Sequence, residues 1–118
     1  PPPEPTAFYN EDGDCIEFIF NNDSYYGHRI DGLLTVYHSH ETNEIVGALI
    51  KGVTGFVRHF QQTSPGFMIE IEDGSVKLGI LFTAGMWKHG DDVAGRKYRR
   101  LRQEAEKLDV AVDVPAFA

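Results

Sequence analysis

Between residues 7 and 50 apolar and polar side chains alternate in short runs, separated by clusters of turn-forming residues. In the run from Cys15, Ile16, Phe18 and Phe20 fall on one side and Cys15, Glu17 and Ile19 on the other. A period of two places alternate side chains on opposite faces of a strand. By this criterion residues 7–9, 15–20, 25–30, 33–37 and 45–50 read as five strands. Their separators are residues 10–14 (Asn-Glu-Asp-Gly-Asp), 21–24, Asp31-Gly32 and 41–44. Asp-Gly between apolar runs signals a hairpin, and Asn43 is a residue type that tolerates a left-handed backbone. The five strands are therefore expected to form an antiparallel meander.

The second half mixes two periods. Val53, Phe56, Val57 and Phe60 recur at helical spacing, which predicts a short helix near 53–60, although Gly52, Gly55 and the β-branched residues weigh toward strand. Residues 67–71 and 76–82 each alternate and flank Asp73-Gly74, the pattern of a second hairpin. Residues 83–90, with Gly85, Trp87 and His89, read as a loop. Asp91 or Asp92 then caps a helix reaching about residue 108, in which Ala94, Tyr98, Leu101, Ala105 and Leu108 form one apolar stripe. Residues 110–114 alternate as a last strand that pairs at a sheet edge or with a second copy of the chain. The expected fold class is α+β: an antiparallel β-meander sheet packed against one C-terminal α-helix, with the short helix near 53–60. A Pro-rich tail over residues 1–6 precedes a single domain over residues 7–118.

Composition narrows the function classes. With 118 residues, 42% hydrophobic and 25% charged, the chain matches an ordinary globular domain and no fibrous or disordered class. Its net charge of −7 disfavours broad binding to nucleic acid or anionic membranes. No apolar run approaches the ~20 residues needed to span a bilayer, and no signal peptide is visible. The single cysteine, Cys15, cannot form an internal disulfide and reads as a small core hydrophobe. A cytoplasmic location with no membrane partner is expected. The chain begins at Pro1, which leaves the natural start open.

The first half carries a phrase of turn and strand residues: Tyr9, the turn Glu11, Asp12, Gly13 and Asp14, then Ile16, Phe18 and Phe20. Leu34, Val36 and Tyr37 follow, and then Glu41, Asn43, Glu44, Ile45, Val46, Gly47, Leu49 and Ile50. Over residues 8–57 this resembles a family of small uncharacterised bacterial domains, with an acidic turn, an Asp-x-apolar-x-apolar strand and a Val-Gly strand. The resemblance implies no activity, cofactor or catalytic residue, and residues 66–118 lie outside it.

Two clusters carry potential chemistry. His38 and His40 would project from one face of a strand about 7 Å apart, a spacing suited to a pair of metal ligands. Glu41 adjoins them, and His28 or Asp31 could come from the neighbouring strand. No Cys pair or His-Glu-x-x-His helix accompanies them, and a polar strand end entering a turn explains the same residues. Asp12 and Asp14 superficially match a calcium loop, but Cys15 and Asn21 occupy its required glycine and glutamate positions. The second cluster is Arg96, Lys97, Arg99, Arg100 and Arg102, a possible anion-binding surface. Glu104 and Glu106 lie four residues after Arg100 and Arg102, where exposed helix pairs form.

No serine lies in a glycine-flanked elbow, no phosphate-cradling loop is present, and no residue is assigned a catalytic role. No cofactor is expected. The reading is a non-enzymatic binding or homo-oligomeric assembly module. Its rivals are a nucleic-acid-associated regulator using the basic helix 96–107 and a small metal-dependent hydrolase around His38, His40 and Glu41.

Overall fold

In the computed structural model, residues 6–63 and 71–117 are described. The chain is α+β, as expected. Its strands are β1 (Thr6–Asn10), β2 (Cys15–Ile19), β3 (Tyr25–Arg29), β4 (Leu34–Ser39) and β5 (Ile45–Lys51). Helix α1 (Val53–Thr63) follows, then β6 (Ile71–Glu72) and β7 (Ser75–Lys77). Helices α2 (Leu78–His89) and α3 (Val93–Lys107), β8 (Ala111–Asp113) and a single 3-10 turn (Pro115–Phe117) complete the chain.

The first five strands are all antiparallel, but they are not a simple meander. Their order is β1-β2-β5-β4-β3, so β2 pairs with β5 and not with β3. The reason lies in composition. β5 (IVGALIK) is buried along most of its length, as a central strand must be. β3 (YYGHR) is exposed at all five positions and would waste a central place. The register keeps the apolar set on one face: Ile16 lies opposite Ile50, Leu34 opposite Ile50, and Val36 opposite Ala48.

Three helices stand where one C-terminal helix and the short helix near 53–60 were expected. The 53–60 pattern is helical, and α1 extends it to Thr63. The larger departure is α2. Val76, Leu78, Ile80 and Phe82 alternate, but Leu78, Leu81, Phe82 and Gly85 also fall at helical spacing, and all four are buried. A segment apolar on nearly every side carries no periodicity to choose between helix and strand. The predicted strand 76–82 thus ends at Lys77, and the predicted loop 83–90 is the rest of α2 with its C-cap, Gly90. Asp73 and Gly74 both have positive φ, 53° and 83°, as the predicted tight hairpin turn requires. The predicted strand residues 67–70 lie outside the described residues. The last strand forms a three-stranded sheet, β6-β7-β8, with Val112 opposite Val76. The expected tail loses Thr6, which starts β1; residues 1–5 lie outside the described residues.

One core joins these layers. Ile16, Phe18, Leu34, Val36 and Ile50 of the sheet cluster with Val53 and Val57 of α1, Leu81 and Phe82 of α2, and Tyr98 and Leu101 of α3. α2 and α3 form a close hairpin. A Cβ on Gly85 would fall 2.2 Å from the Tyr98 ring, so only glycine permits this approach. Asp92 caps α3 by accepting from Gly95 N–H at 2.7 Å, in line with the expected cap. The stripe on α3 is Gly95, Tyr98, Leu101 and Ala105.

The helices cover one face of the five-stranded sheet. On the other face Cys15, Glu17, Ile19, Thr35 and Leu49 are half-buried. Cys15 is therefore not a core residue: it follows β2's outward parity, and Ile16 takes the inward place. Tyr37 donates to Glu17 at 3.0 Å and stacks on Tyr25 at 4.4 Å.

Candidate functional site

Three polar clusters stand out, and their geometry separates scaffold from surface. The first forms at Asp31, in the loop between β3 and β4. Neither Asp31 nor Gly32 has positive φ, so this hairpin does not use the tight Asp-Gly turn the sequence suggests. The carboxylate closes the loop instead: Asp31 Oδ1 accepts from Leu33 N–H at 2.9 Å and Leu34 N–H at 2.7 Å.

Asp31 Oδ2 reaches the helices. It accepts from His89 Nε2 at 2.7 Å and from Tyr98 OH at 2.8 Å. A carboxylate only accepts, so His89 carries its proton on Nε2. His89 Nδ1 faces Asp92 at 3.5 Å, and the His89 and Tyr98 rings stack at 5.5 Å. Burial pushes the Asp31 carboxyl up, but bonds from His89, Leu34 N–H, Tyr98 and Leu33 N–H outweigh it and hold Asp31 below its ordinary value. Burial and the Asp31 bond push the Tyr98 hydroxyl well up. The arrangement contains an Asp–His pair, yet both His89 nitrogens and the Tyr98 hydroxyl are directed at carboxylates. It offers no activated nucleophile and works as a pin between the β3–β4 loop and the α2–α3 hairpin.

A similar pin lies at Asp14, inside the acidic turn between β1 and β2. Asp14 has φ 48°, and its carboxylate accepts from Tyr9 OH at 2.6 Å and from Thr54 Oγ1 at 2.8 Å. It also accepts from Thr54 N–H at 3.2 Å, in the first turn of α1. Burial raises the Asp14 carboxyl, but bonds from Tyr9 and Thr54 lower it below its ordinary value overall. The Asp14 bond in turn raises Tyr9 to about 12. This carboxylate binds the chain to itself. Ser39, fully buried, does likewise by donating to Asp23 at 2.9 Å and accepting from Glu41 and Thr42 N–H.

The third cluster is the histidine strip. β3 and β4 place His28 and His38 on the helix-facing side, with ring centroids 6.2 Å apart. Tyr26 stands between His38 and His40, at 5.6 Å and 5.2 Å. His38 Nδ1 lies 2.9 Å from the Asn43 carbonyl, which only accepts, so Nδ1 carries the proton. Its Nε2 then accepts from Lys97 Nζ at 3.3 Å. Both nitrogens are engaged, and a cation arriving at Nε2 would meet the Lys97 ammonium. Asn43 has φ 62°, the left-handed backbone expected for it, and its side chain accepts from Tyr26 OH at 2.9 Å. Glu41 is exposed in the turn after His40. Among the described residues no group of three or more His, Cys, Asp or Glu is placed to hold a metal ion. Asp31, a conceivable third ligand by sequence, is occupied by His89 and Tyr98.

The basic residues of α3 divide by partner. Lys97 turns to His38. Arg99 pairs with Asp91 at 3.0 Å, Arg100 with Glu104, and Arg102 approaches Glu106 at 3.8 Å. These are the i,i+4 pairs the spacing suggests, plus one to the α2–α3 turn; Arg96, Arg99 and Arg100 are all exposed. Elsewhere, a shallow concavity of about 340 Å³ is lined by Lys77, Ile80, Glu106, Asp109 and Val110. Its lysine bonds Asp109 at 2.6 Å, so its opposite charges answer each other.

The remaining surface of note is backbone. The β4 partner bonds Ser24 and Ile30: His40 N–H donates to Ser24 O and Ile30 N–H to Leu34 O. In an antiparallel ladder the bonded residues alternate. Tyr26 and His28 therefore bond β4, and the N–H and C=O groups of Tyr25, Gly27 and Arg29 point outward from the sheet. Sequence reasoning identified the strand but not this edge, because edge status depends on the pairing order. The one local signal was a strand with little apolar content.

No helix among the described residues is long and apolar enough to cross a membrane. Comparison with known proteins returned no matching family model, no matching curated protein and no matching solved structure.

Proposed function

We propose that this protein is a non-enzymatic binding and assembly module that works through the exposed edge of its five-stranded sheet. The observation that carries this reading is β3, exposed at all five positions, with Tyr25 and Tyr26 about 40% and 39% exposed. Edge strands with free backbone groups are templates for strand addition, and proteins blunt them with charged side chains, proline or bulges. β3 has no lysine, proline or bulge in its span and one charged residue, Arg29, at its end; the irregularity at Tyr37/His38 lies on the β5 side of β4. The opposite edge, β1, has β8 packed against it. The polar clusters support the same reading in part: Asp31 and Asp14 are taken up by His89, Tyr98, Tyr9 and Thr54, and Arg99 and Arg100 pair with Asp91 and Glu104.

Light scattering over micromolar to millimolar concentration tests the assembly reading. The mass is expected to rise from 13.2 kDa toward its double. Each copy carries a net charge of −7, so moderate salt should strengthen association by screening repulsion. Nucleic-acid binding through the α3 arginines would instead weaken steeply with salt. A mass fixed at the monomer value throughout would remove assembly from the account.

A further inference from the structure

We infer that the occupant of the β3 edge is a second copy of β3, antiparallel, with the two-fold axis passing midway between the two copies of Gly27. The inference rests on the assembly reading and specifies its register. The outward-bonding residues are Tyr25, Gly27 and Arg29, spaced symmetrically about Gly27. Rotation about that axis brings Gly27 opposite the second copy's Gly27, and Tyr25 opposite its Arg29. All three positions then present bonding groups to bonding groups, closing up to about six backbone hydrogen bonds. A shift by one residue would set bonding residues against Tyr26 and His28, whose groups already face β4.

The side chains agree with this register on both faces. On the uncovered face, Arg29 shares a side with Tyr25, because both follow the parity of Thr35 and Tyr37 in β4. The two-fold sets the Arg29 guanidinium against the second copy's Tyr25, whose ring is already backed by Tyr37 at 4.4 Å. That is a cation against an aromatic face, made twice. On the helix-facing side, Tyr26 meets the second copy's His28 in a non-bonded pair, where side chains approach closest. This extends the stack of Tyr26 on His38 across the axis. Gly27 at the axis leaves the two strands free of side chains where their backbones meet. The product is one continuous sheet made from two copies of the order β1-β2-β5-β4-β3.

Two experiments on the full chain test the register. The first replaces Gly27→Pro, removing an outward N–H while leaving the bonds to β4 in place. It should weaken association by about tenfold or more, with circular dichroism unchanged. A Cβ at Gly27 would lie 3.2 Å from Thr35 Cγ2, so a second set of variants avoids that position. Tyr26→Cys with His28→Cys, in a Cys15→Ser chain, places cysteines across the axis with Cα atoms about 4.5 Å apart, within disulfide range. The double variant should oxidise to a covalent dimer, and Tyr26→Cys or His28→Cys alone should not. Association that survives Gly27→Pro unchanged, together with no cross-linking of the double variant, overturns the register while leaving assembly through another surface. A monomer at every concentration overturns both.

Discussion

Two regions only two residues apart in sequence behave in opposite ways. At Asp31 one carboxylate receives two backbone N–H groups, an imidazole and a phenol, and is 13% exposed. At β3, ending with Arg29, the side chains lie open and one whole row of backbone groups faces outward. The first region is closed by side chains that arrive from α2 and α3. The second is left open because no element of the described chain arrives beside it. Concentrated polar residues therefore mark scaffold in one place and surface in the other, and what separates them is whether their hydrogen-bonding capacity is already spent.

The largest test of this contrast is Asp31→Ala. It strands Tyr98 OH, His89 and two N–H groups in a nearly buried corner, at a cost of about 3–5 kcal/mol. Urea denaturation should report that loss, and a change below about 1 kcal/mol would break the claim that Asp31 pins the sheet to the helices.

A smaller effect follows from pH. Asp31 and Asp14 both sit below the ordinary carboxylate value of 3.8. The folded chain thus binds these protons less readily than the unfolded chain. Their stabilisation is complete above that ordinary value and lost as pH falls through the lowered folded values. The melting temperature should fall between pH 4 and pH 2, and Asp31→Asn should flatten that fall. An undiminished slope in the variant would assign the acid limb elsewhere.

The smallest effect belongs to the histidine strip beside the open strand. His38→Ala removes a part-buried contact to Lys97 and an exposed one to Asn43 and should change monomer stability by about 1 kcal/mol or less. A loss as large as that of Asp31→Ala would show that the histidine strip is scaffold too, and would erase the contrast.

How far these regions were legible in the sequence follows the range of the forces that build them. The five strands of the first half were readable because Ile16 and Phe18, or Leu34 and Val36, alternate with polar neighbours. Their order was not, since β2 could have paired with β3 until the apolar load of β5 decided the centre. α2 was misread because its residues are apolar on almost every side. The histidine strip was visible in part, as strand parity puts His38 with His40 and the neighbouring strand carries His28, but the place of Tyr26 against His38 came with the register. The Asp31 corner had no local signal: His89 and Tyr98 lie 58 and 67 residues away and arrive only when α2 and α3 dock. Asp14 showed its turn role but not its grip on Thr54, which comes from 40 residues along the chain.

The most direct measurement of the central claim is amide hydrogen exchange of β3, read residue by residue by NMR at low and high protein concentration. At low concentration Tyr26 and His28 should be protected by β4, while Tyr25, Gly27 and Arg29 exchange quickly. At high concentration the protection of Tyr25, Gly27 and Arg29 should rise and that of Tyr26 and His28 stay in place. An alternating pattern that does not change with concentration, or protection of all five amides in the monomer, would contradict the account of β3 as an open, self-pairing edge.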